Sequence, residues 1–343
     1  MTTSKFAPAF AAGIPADGEA RLGAAGPGAR ARHTGVQRGG PEFGVLAPLV
    51  SDPQASDVFV NPDGTVWHDR GGGVATQAGI RIPADEARDL AVRLVALGGR
   101  HVDEATPCVD VRLGAGVRVH VVLAPVASGG PAISIRLQQL EPIGIDRLIA
   151  DSFFSAVAVD DVLELVRRRA NLLITGAGGS GKTTLLGALL SRAAPEERIV
   201  VLEDVAELRI AHPHVVALEA RQANLDGAGA IGLDRLVREA LRMRPDRLVI
   251  GECRGAEVRE LLAALNTGHD GGAGTLHANS LADVPARLEA LAALAALSID
   301  AMARQAVSAF DAVLHIERSA NGRRLAAVGR LELDRRGRLA VTT

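Results

Sequence analysis

The most specific chemistry in the chain is carried by Gly176-Ala-Gly-Gly-Ser-Gly-Lys-Thr183, a full match to GxxxxGK[ST], the sequence of a loop that wraps phosphate. The matched residues are Gly176, Ala177, Gly178, Gly179, Ser180, Gly181, Lys182 and Thr183, with Thr184 next in line. The glycines admit backbone conformations that a Cβ penalises. Successive N–H groups then converge on phosphate oxygens at the start of a helix, where the dipole also favours an anion. In such a loop Lys182 reaches the β and γ phosphates of a nucleotide, and the Thr183 hydroxyl reaches Mg²⁺. The context is right: the apolar run Leu172-Leu-Ile-Thr175 reads as the strand before it, and residues 183–191 read as the helix after it.

A bound triphosphate also needs an acid near its metal and another near the attacking water. Leu248-Val-Ile-Gly251 is an apolar run that ends in Glu252. That is the form of a Walker B strand, and it places Glu252 in the metal shell, through water. Ile199-Val-Val-Leu202 ends in Glu203 and Asp204, with Glu207 close behind. A solvated charged turn reads the same way in isolation. A second strand-terminal acid site beside a phosphate loop favours chemistry, without choosing among Glu203, Asp204 and Glu207. Between Thr267 and His277, glycines at 268, 271, 272 and 274 alternate with His269 and His277. This segment predicts a loop that senses the γ-phosphate, with His277 bonded to phosphate or to a catalytic acid. No cysteine or carboxylate cluster accompanies these histidines at metal-ligand spacing. His212 and His214 read as surface residues, and Cys253 as a small buried hydrophobe.

These groups need a scaffold. At 343 residues the chain suits two domains, and 48% hydrophobic with 23% charged residues is ordinary for a folded soluble chain. Its 38 basic against 40 acidic residues leave a net charge of −2, which argues against a dedicated nucleic-acid binder. Aromatics make up 2%, with no Tyr and Trp67 alone of its kind, so base stacking has little to work with. Cys108 and Cys253 frame neither a disulfide network nor a zinc site, which suggests the cytosol. No apolar run approaches the ~18 residues of a membrane helix, and the N-terminal run is broken by Pro8 and Gly13, unlike a signal peptide.

Residues 1–42, rich in Ala, Gly and Arg, read as a disordered tail. Residues 43–140 read as a small α+β domain. Its strands 57–60 and 65–68 flank an Asn-Pro-Asp-Gly turn, a helix spans 84–97, and further strands span 117–123 and 132–137. Residues 141–152 read as a linker. From there to 343, short apolar runs separated by helical stretches predict a parallel α/β sheet, closed by a hairpin around Asn321-Gly322.

Four segments together, EDVAEL (203–208), REALRMRPDR (238–247), GECRGAEV (251–258) and NTGHDGGAGTLHANS (266–280), resemble one family. The chain is similar, over residues 43–330, to the ATPases of type II and type IV secretion and type IV pili, and in particular to the tight-adherence (TadA/CpaF-like) branch of Flp pilus assembly and conjugal transfer. The resemblance implies a RecA-like P-loop NTPase motor behind a smaller, PAS-like α+β sensor domain. ATP and Mg²⁺ bind in the cleft between them. It makes Glu207 the general base, puts Glu203 and Glu252 with Thr183 at the metal, and ends the family's His box at His277. Arg118 and Arg136 match the N-terminal arginines that help to hold the γ-phosphate, and Arg221, Arg242 and Arg244 are further candidates. The implied assembly is a homo-hexamer, cytoplasmic and peripheral to the inner membrane, working on a membrane platform protein and not on nucleic acid directly. Two departures stand out. Gly114-Ala-Gly116 replaces the family's common Asp-Gly before Arg118, and the longer N-terminal extension is missing or reduced to the tail.

Two other classes fit a phosphate loop. One is a different P-loop enzyme: a DNA translocase, an ABC-type ATPase or a small-molecule kinase. The near-neutral charge weighs against DNA, and no LSGGQ-like signature follows the loop. The other is a nucleotide-gated scaffold that binds ATP without turnover, against which stand Lys182, Glu207 and Glu252.

Overall fold

The computed structural model describes residues 37–71, 73–114, 116–138, 141–221, 229–319 and 322–343. Apolar residues at every second position build a first, six-stranded antiparallel sheet. Its strands are β1 (Asp57–Val60), β2 (Thr65–Asp69), β3 (Val74–Arg81), β4 (Cys108–Leu113), β5 (Val117–Val122) and β6 (Ala132–Leu137), in the order β3-β2-β1-β6-β5-β4. On β5, Val117, Val119 and Val121 are buried while Arg118 and His120 face the other way. The buried face packs on two helices, α1 (Ala47–Ser51) and α2 (Ala84–Leu97), the latter through Leu90, Ala91, Leu94 and Val95. The β1–β2 turn closes at Gly64, whose φ of +80° suits glycine, and a Cβ there would stand 2.2 Å from the Ile82 carbonyl oxygen.

Residues 1–36 of the expected tail lie outside the described residues. The next few are part of the fold. Arg38 donates to the carbonyls of Val50, Asp52 and Ala55 at 2.9 Å each, and the helical turn Pro41–Leu46 buries Phe43 and Leu46 completely. The segment expected to be a linker, 141–152, carries the helix α3 (Ile145–Ala150). Its Ile145 and Leu148 sit three apart on one helical face and are buried with Leu185, Leu186 and Leu189 of the second sheet's core. The connection between the two sheets therefore narrows to residues 138–144, of which 139 and 140 lie outside the described residues.

The second sheet is mixed. Its strands are β7 (Leu172–Gly176), β8 (Ile199–Glu203), β9 (Val215–Glu219), β10 (Arg247–Ile250), β11 (Ala273–His277), β12 (Ala312–Ser319), β13 (Gly322–Leu333) and β14 (Leu339–Thr342), in the order β14-β13-β12-β7-β11-β10-β8-β9. From β9 to β12 the pairs are parallel; β13 and β14 add antiparallel. Every residue of β7, β8 and β10 is buried, because helices cover both faces. α4 (Val159–Arg167) and α5 (Lys182–Leu190) join α3 on one face. α6 (Leu233–Ala240), α7 (Glu257–Leu265), α8 (Val284–Leu294) and α9 (Ile299–Ala309) pack on the other. Among the described residues, no single helix is long and apolar enough to cross a membrane.

The glycine-rich segment ending at His277, expected as a loop, is instead the central strand β11 from Ala273 onward. Small residues are required there: a Cβ on Gly272 would stand 2.4 Å from Leu265 Cδ2, and one on Gly274 would stand 3.1 Å from Cys253 Sγ. The expected hairpin at 321–322 corresponds to β12–β13, although Asn321 itself lies outside the described residues.

Candidate functional site

Parallel strands deliver their carboxyl ends to one edge of the sheet, and the polar groups gather there. β7 ends at Gly176, where a Cβ would stand 2.6 Å from the Ile316 carbonyl oxygen. The loop then turns through Gly181 at φ +101° and opens α5 at Lys182. Lys182 Nζ donates to the carbonyls of Gly176 at 3.0 Å and Ala177 at 2.9 Å, and stands 3.5 Å from His277 Nε2. Burial, with some help from Arg254, holds the Lys182 ammonium below its ordinary pKa, while Glu252 opposes the shift. Ser180 Oγ is buried in the same loop and has no hydrogen-bond partner among the described residues. A loop of main-chain N–H groups, an inward lysine and an unpartnered hydroxyl suits a polyphosphate.

The acids arrive from neighbouring strands. Glu203, at the end of β8, is 4% exposed, and its Oε1 accepts the amides of Glu207 at 3.0 Å and Leu208 at 2.9 Å. Burial raises its pKa, partly offset by those two hydrogen bonds. Glu203 therefore shapes the turn that presents Glu207, with one oxygen committed to main chain. Glu252, just beyond β10, meets His277 Nε2 at 2.9 Å and also pairs with Arg254. Burial and the Lys182 charge hold the His277 imidazole below its ordinary pKa, against the pull of Glu252. Thr183, Glu203 and Glu252 offer the oxygen chemistry that suits a hard divalent cation, although among the described residues no three His, Cys, Asp or Glu side chains are grouped as metal ligands.

The first sheet closes over this edge with its polar face. Register places Arg112 opposite Arg118, Arg118 opposite Arg136, and Arg136 opposite Asp57, in one row across four strands. Arg118 is held by Asp110 at 3.2 Å and Arg136 by Asp57 at 3.3 Å. A narrow cleft of about 70 Å³ is lined by Arg118, Arg136, Thr183, Glu203, Asp204, Glu207, Glu252 and Arg254. Arg112 crosses to the second sheet, where it pairs with Glu219 and donates to the Asp204 carbonyl at 3.5 Å. Arg209 answers from the other side by donating to Gln138 Oε1 at 3.2 Å.

A wider cleft of about 680 Å³ opens on the opposite side of the loop, against Gly181 and Thr184. Pro142, Ile143, Leu148 and Phe153 give it apolar wall, and Arg147 and Arg323 line it together with the acids Glu141 and Asp151.

Thr183, Glu203, Glu207, Glu252, Arg118 and Arg136 line the narrow cleft, and Lys182 and His277 lie beside it through Glu252. Arg221, Arg242 and Arg244 line neither cleft; Arg242, for example, pairs with Glu239 at 3.6 Å. His212 bonds the Ala194 carbonyl at 2.9 Å and His214 bonds Arg198 at 2.7 Å, both structural contacts. Cys253 is buried, and burial pushes its thiol pKa up, which keeps it protonated. Sequence reasoning passed over Arg112, Arg254 and Arg323. Arg112 was findable by alternation, since it shares a face with the outward residues of β4. Arg323 carries no local signal.

The family model described as "Type II/IV secretion system protein" matches residues 42–321. Among curated proteins, the chain is 45% identical to the putative conjugal transfer protein Rv3659c of Mycobacterium tuberculosis, over 88% of this chain and 87% of that one. It is 32% identical to the conjugal transfer protein TrbB of Rhizobium radiobacter, over 84% and 87% respectively. Among solved structures, the pilus retraction motor PilT with bound ADP aligns at a TM-score of 0.56 and 22% identity, over 80% of this chain and 78% of that one. That last likeness concerns the fold.

Proposed function

Because the chain belongs to the type II/IV secretion system protein family, we propose that it is the ATP-hydrolysing motor of a secretion, conjugal-transfer or tight-adherence pilus apparatus. One observation carries the reading. Thr183 of the loop, Glu203, Glu207 and Glu252 from two strand ends, and Arg118 and Arg136 from the first sheet all line one cleft, and Lys182 stands 3.5 Å from His277, which meets Glu252 at 2.9 Å. In this reading residues 153–343 are a RecA-like motor, and the first sheet is a PAS-like domain that caps it.

The β and γ phosphates of ATP lie in the loop and draw the Lys182 ammonium from the Gly176 and Ala177 carbonyls. Thr183 through its hydroxyl, and Glu203 and Glu252 through water, would hold Mg²⁺, which would supply charge neutralisation at the phosphates. Glu207 orients and deprotonates the attacking water. Arg118 and Arg136 face the departing γ-phosphoryl group and offset its charge, and His277 aims the Glu252 carboxylate. The apolar wall of the wide cleft takes the base. Loss of the γ-phosphate frees the arginine row, and the first sheet turns about residues 141–144, ahead of α3. Repeated around a homo-hexamer at the inner face of the cell membrane, that turn pushes on a membrane platform protein.

The test is phosphate release from ATP by the full chain and by Lys182→Ala and Glu207→Gln. Each variant is expected to lose at least about 10²-fold in turnover. Wild-type turnover in both would overturn the assignment. Binding without any turnover in the wild type would favour the nucleotide-gated scaffold.

A further inference from the structure

The two clefts divide the phosphate loop between them. The narrow one takes in Thr183 together with Glu207 and Glu252, so it is the γ-phosphate end. The wide one takes in Gly181 and Thr184, so it is the end of the α-phosphate, ribose and base. Only the first end has been given cations from outside the loop. The second has two guanidinium groups at hand, Arg147 and Arg323, and they differ. Arg147 is neutralised by Asp151 at 2.9 Å. The Arg323 guanidinium, unlike its main chain in the β12–β13 ladder, has no hydrogen bond or ion pair with another described residue. It is brought in by the β12–β13 hairpin, and its Cδ lies 3.5 Å from the point where a Cβ on Gly181 would stand. Its neighbour on the strand, Arg324, turns away and pairs with Glu317 at 3.0 Å.

A guanidinium beside a phosphate loop, in a cleft whose acid Asp151 is engaged by Arg147 and with no ion pair of its own among the described residues, is a recognition group suited to an anion. Resting on the reading of the loop as an ATP site, we propose that Arg323 is a nucleotide-binding residue that pairs with the α-phosphate. The partial burial of this guanidinium lowers its pKa, and the Arg318 charge adds to the shift; an arriving phosphate relieves both. The C-terminal hairpin, which contributes none of the motif residues, then forms one wall of the nucleotide site. Glycine at 181 permits the turn of the loop at φ +101°, and the Arg323 stem packs against that position at ordinary contact distance.

The experiment is calorimetric titration of the full chain with ADP and Mg²⁺, together with steady-state ATP turnover. Arg323→Ala and Arg323→Gln are expected to weaken ADP about 10- to 100-fold, the worth of a charge-assisted hydrogen bond. They raise KM for ATP in step and leave kcat within about twofold, since the contact is made in ground and transition states alike. Arg323→Lys recovers part of the loss, Arg324→Ala binds like wild type, and melting without nucleotide is unchanged in all four. Wild-type ADP affinity in Arg323→Ala and Arg323→Gln overturns the role of Arg323 while leaving the loop reading intact. Equal weakening in Arg324→Ala also overturns it, in favour of a general charge effect. A wild-type chain that binds no ADP overturns both.

Discussion

His277 Nε2 stands 2.9 Å from the Glu252 carboxylate and 3.5 Å from Lys182 Nζ. The three groups come from the ends of adjacent parallel strands and from the loop beside them. Lys182 already donates to two carbonyls, and the imidazole is held neutral by burial and by the lysine charge. The Nε2–H tautomer therefore donates to Glu252 and aims its carboxylate. Replacing His277 by Ala is expected to lower kcat for ATP by about 10²-fold with little change in KM, and His277→Gln to recover part of it. Steady-state phosphate release measures both, and an unchanged kcat in the Ala variant removes the histidine from the chemistry.

Glu203 separates shape from charge. Glu203→Ala leaves the amides of Glu207 and Leu208 without their acceptor and is expected to cost about 2 kcal/mol of stability. Glu203→Gln keeps an accepting oxygen. The raised pKa of the wild-type carboxyl means that the fold binds its proton more tightly than the unfolded chain does. Stability is accordingly lost as pH rises through the window above the ordinary carboxylate range. The Gln variant is therefore expected to match or exceed wild-type stability at pH 7, as read by urea unfolding. A Gln variant as unstable as the Ala variant would sink the argument.

Arg112 and Glu219 tie the first sheet to the end of β9. Both side chains are about a third exposed, 34% and 39%, so solvent screens the pair. A double-mutant cycle of Arg112→Ala and Glu219→Ala is expected to give a coupling of about 0.5–1 kcal/mol in unfolding. Because Arg112 also reaches the Asp204 carbonyl, Arg112→Ala should additionally lower turnover, whereas Glu219→Ala should do so less. Equal turnover in wild type and Arg112→Ala would confine the residue to stability.

His315 gives the fold a dependence on acid. Its Nδ1 lies 2.9 Å from Thr175 Oγ1, it is 2% exposed, and its Nε2 has no partner. Burial lowers its pKa, opposed by Glu317 and Asp283. The unfolded chain then binds the proton more readily, so stability falls as pH drops below about 6.5, the ordinary value for histidine. Wild type is expected to lose more stability than His315→Gln between pH 7.5 and pH 5.5 in urea melts. Parallel losses would show that His315 takes no part.

Local pattern explains what was readable beforehand. The phosphate loop, its preceding strand and the acids after β8 and β10 are contiguous in the chain, so residue type and spacing suffice for them. The helix α2 and the β1–β2 hairpin were legible for the same reason. β11 was not. Its Ala-Gly-Thr core looks like loop, and only the close approach of Leu265 and Cys253 makes small residues the fitting choice for a central strand. α3 was hidden because Pro142 and Gly144 beside it mimic a linker, while the partners that bury Ile145 and Leu148 lie some forty residues on, around Leu185–Leu189.

Taken alone, the order of amino acids determined that a GxxxxGK[ST] loop links a buried strand to a helix, that carboxylates close two buried strands, and that Arg118 and Arg136 belong to a separate sheet. Tertiary structure decided which groups meet. The row Arg112, Arg118, Arg136 is a matter of strand register, the pairing of Glu252 with His277 depends on the β10–β11 neighbourhood, and Arg323 reaches Gly181 only because β12 lies beside β7. Each is a contact between residues distant along the chain, and such contacts are set by how whole sheets bury their apolar faces.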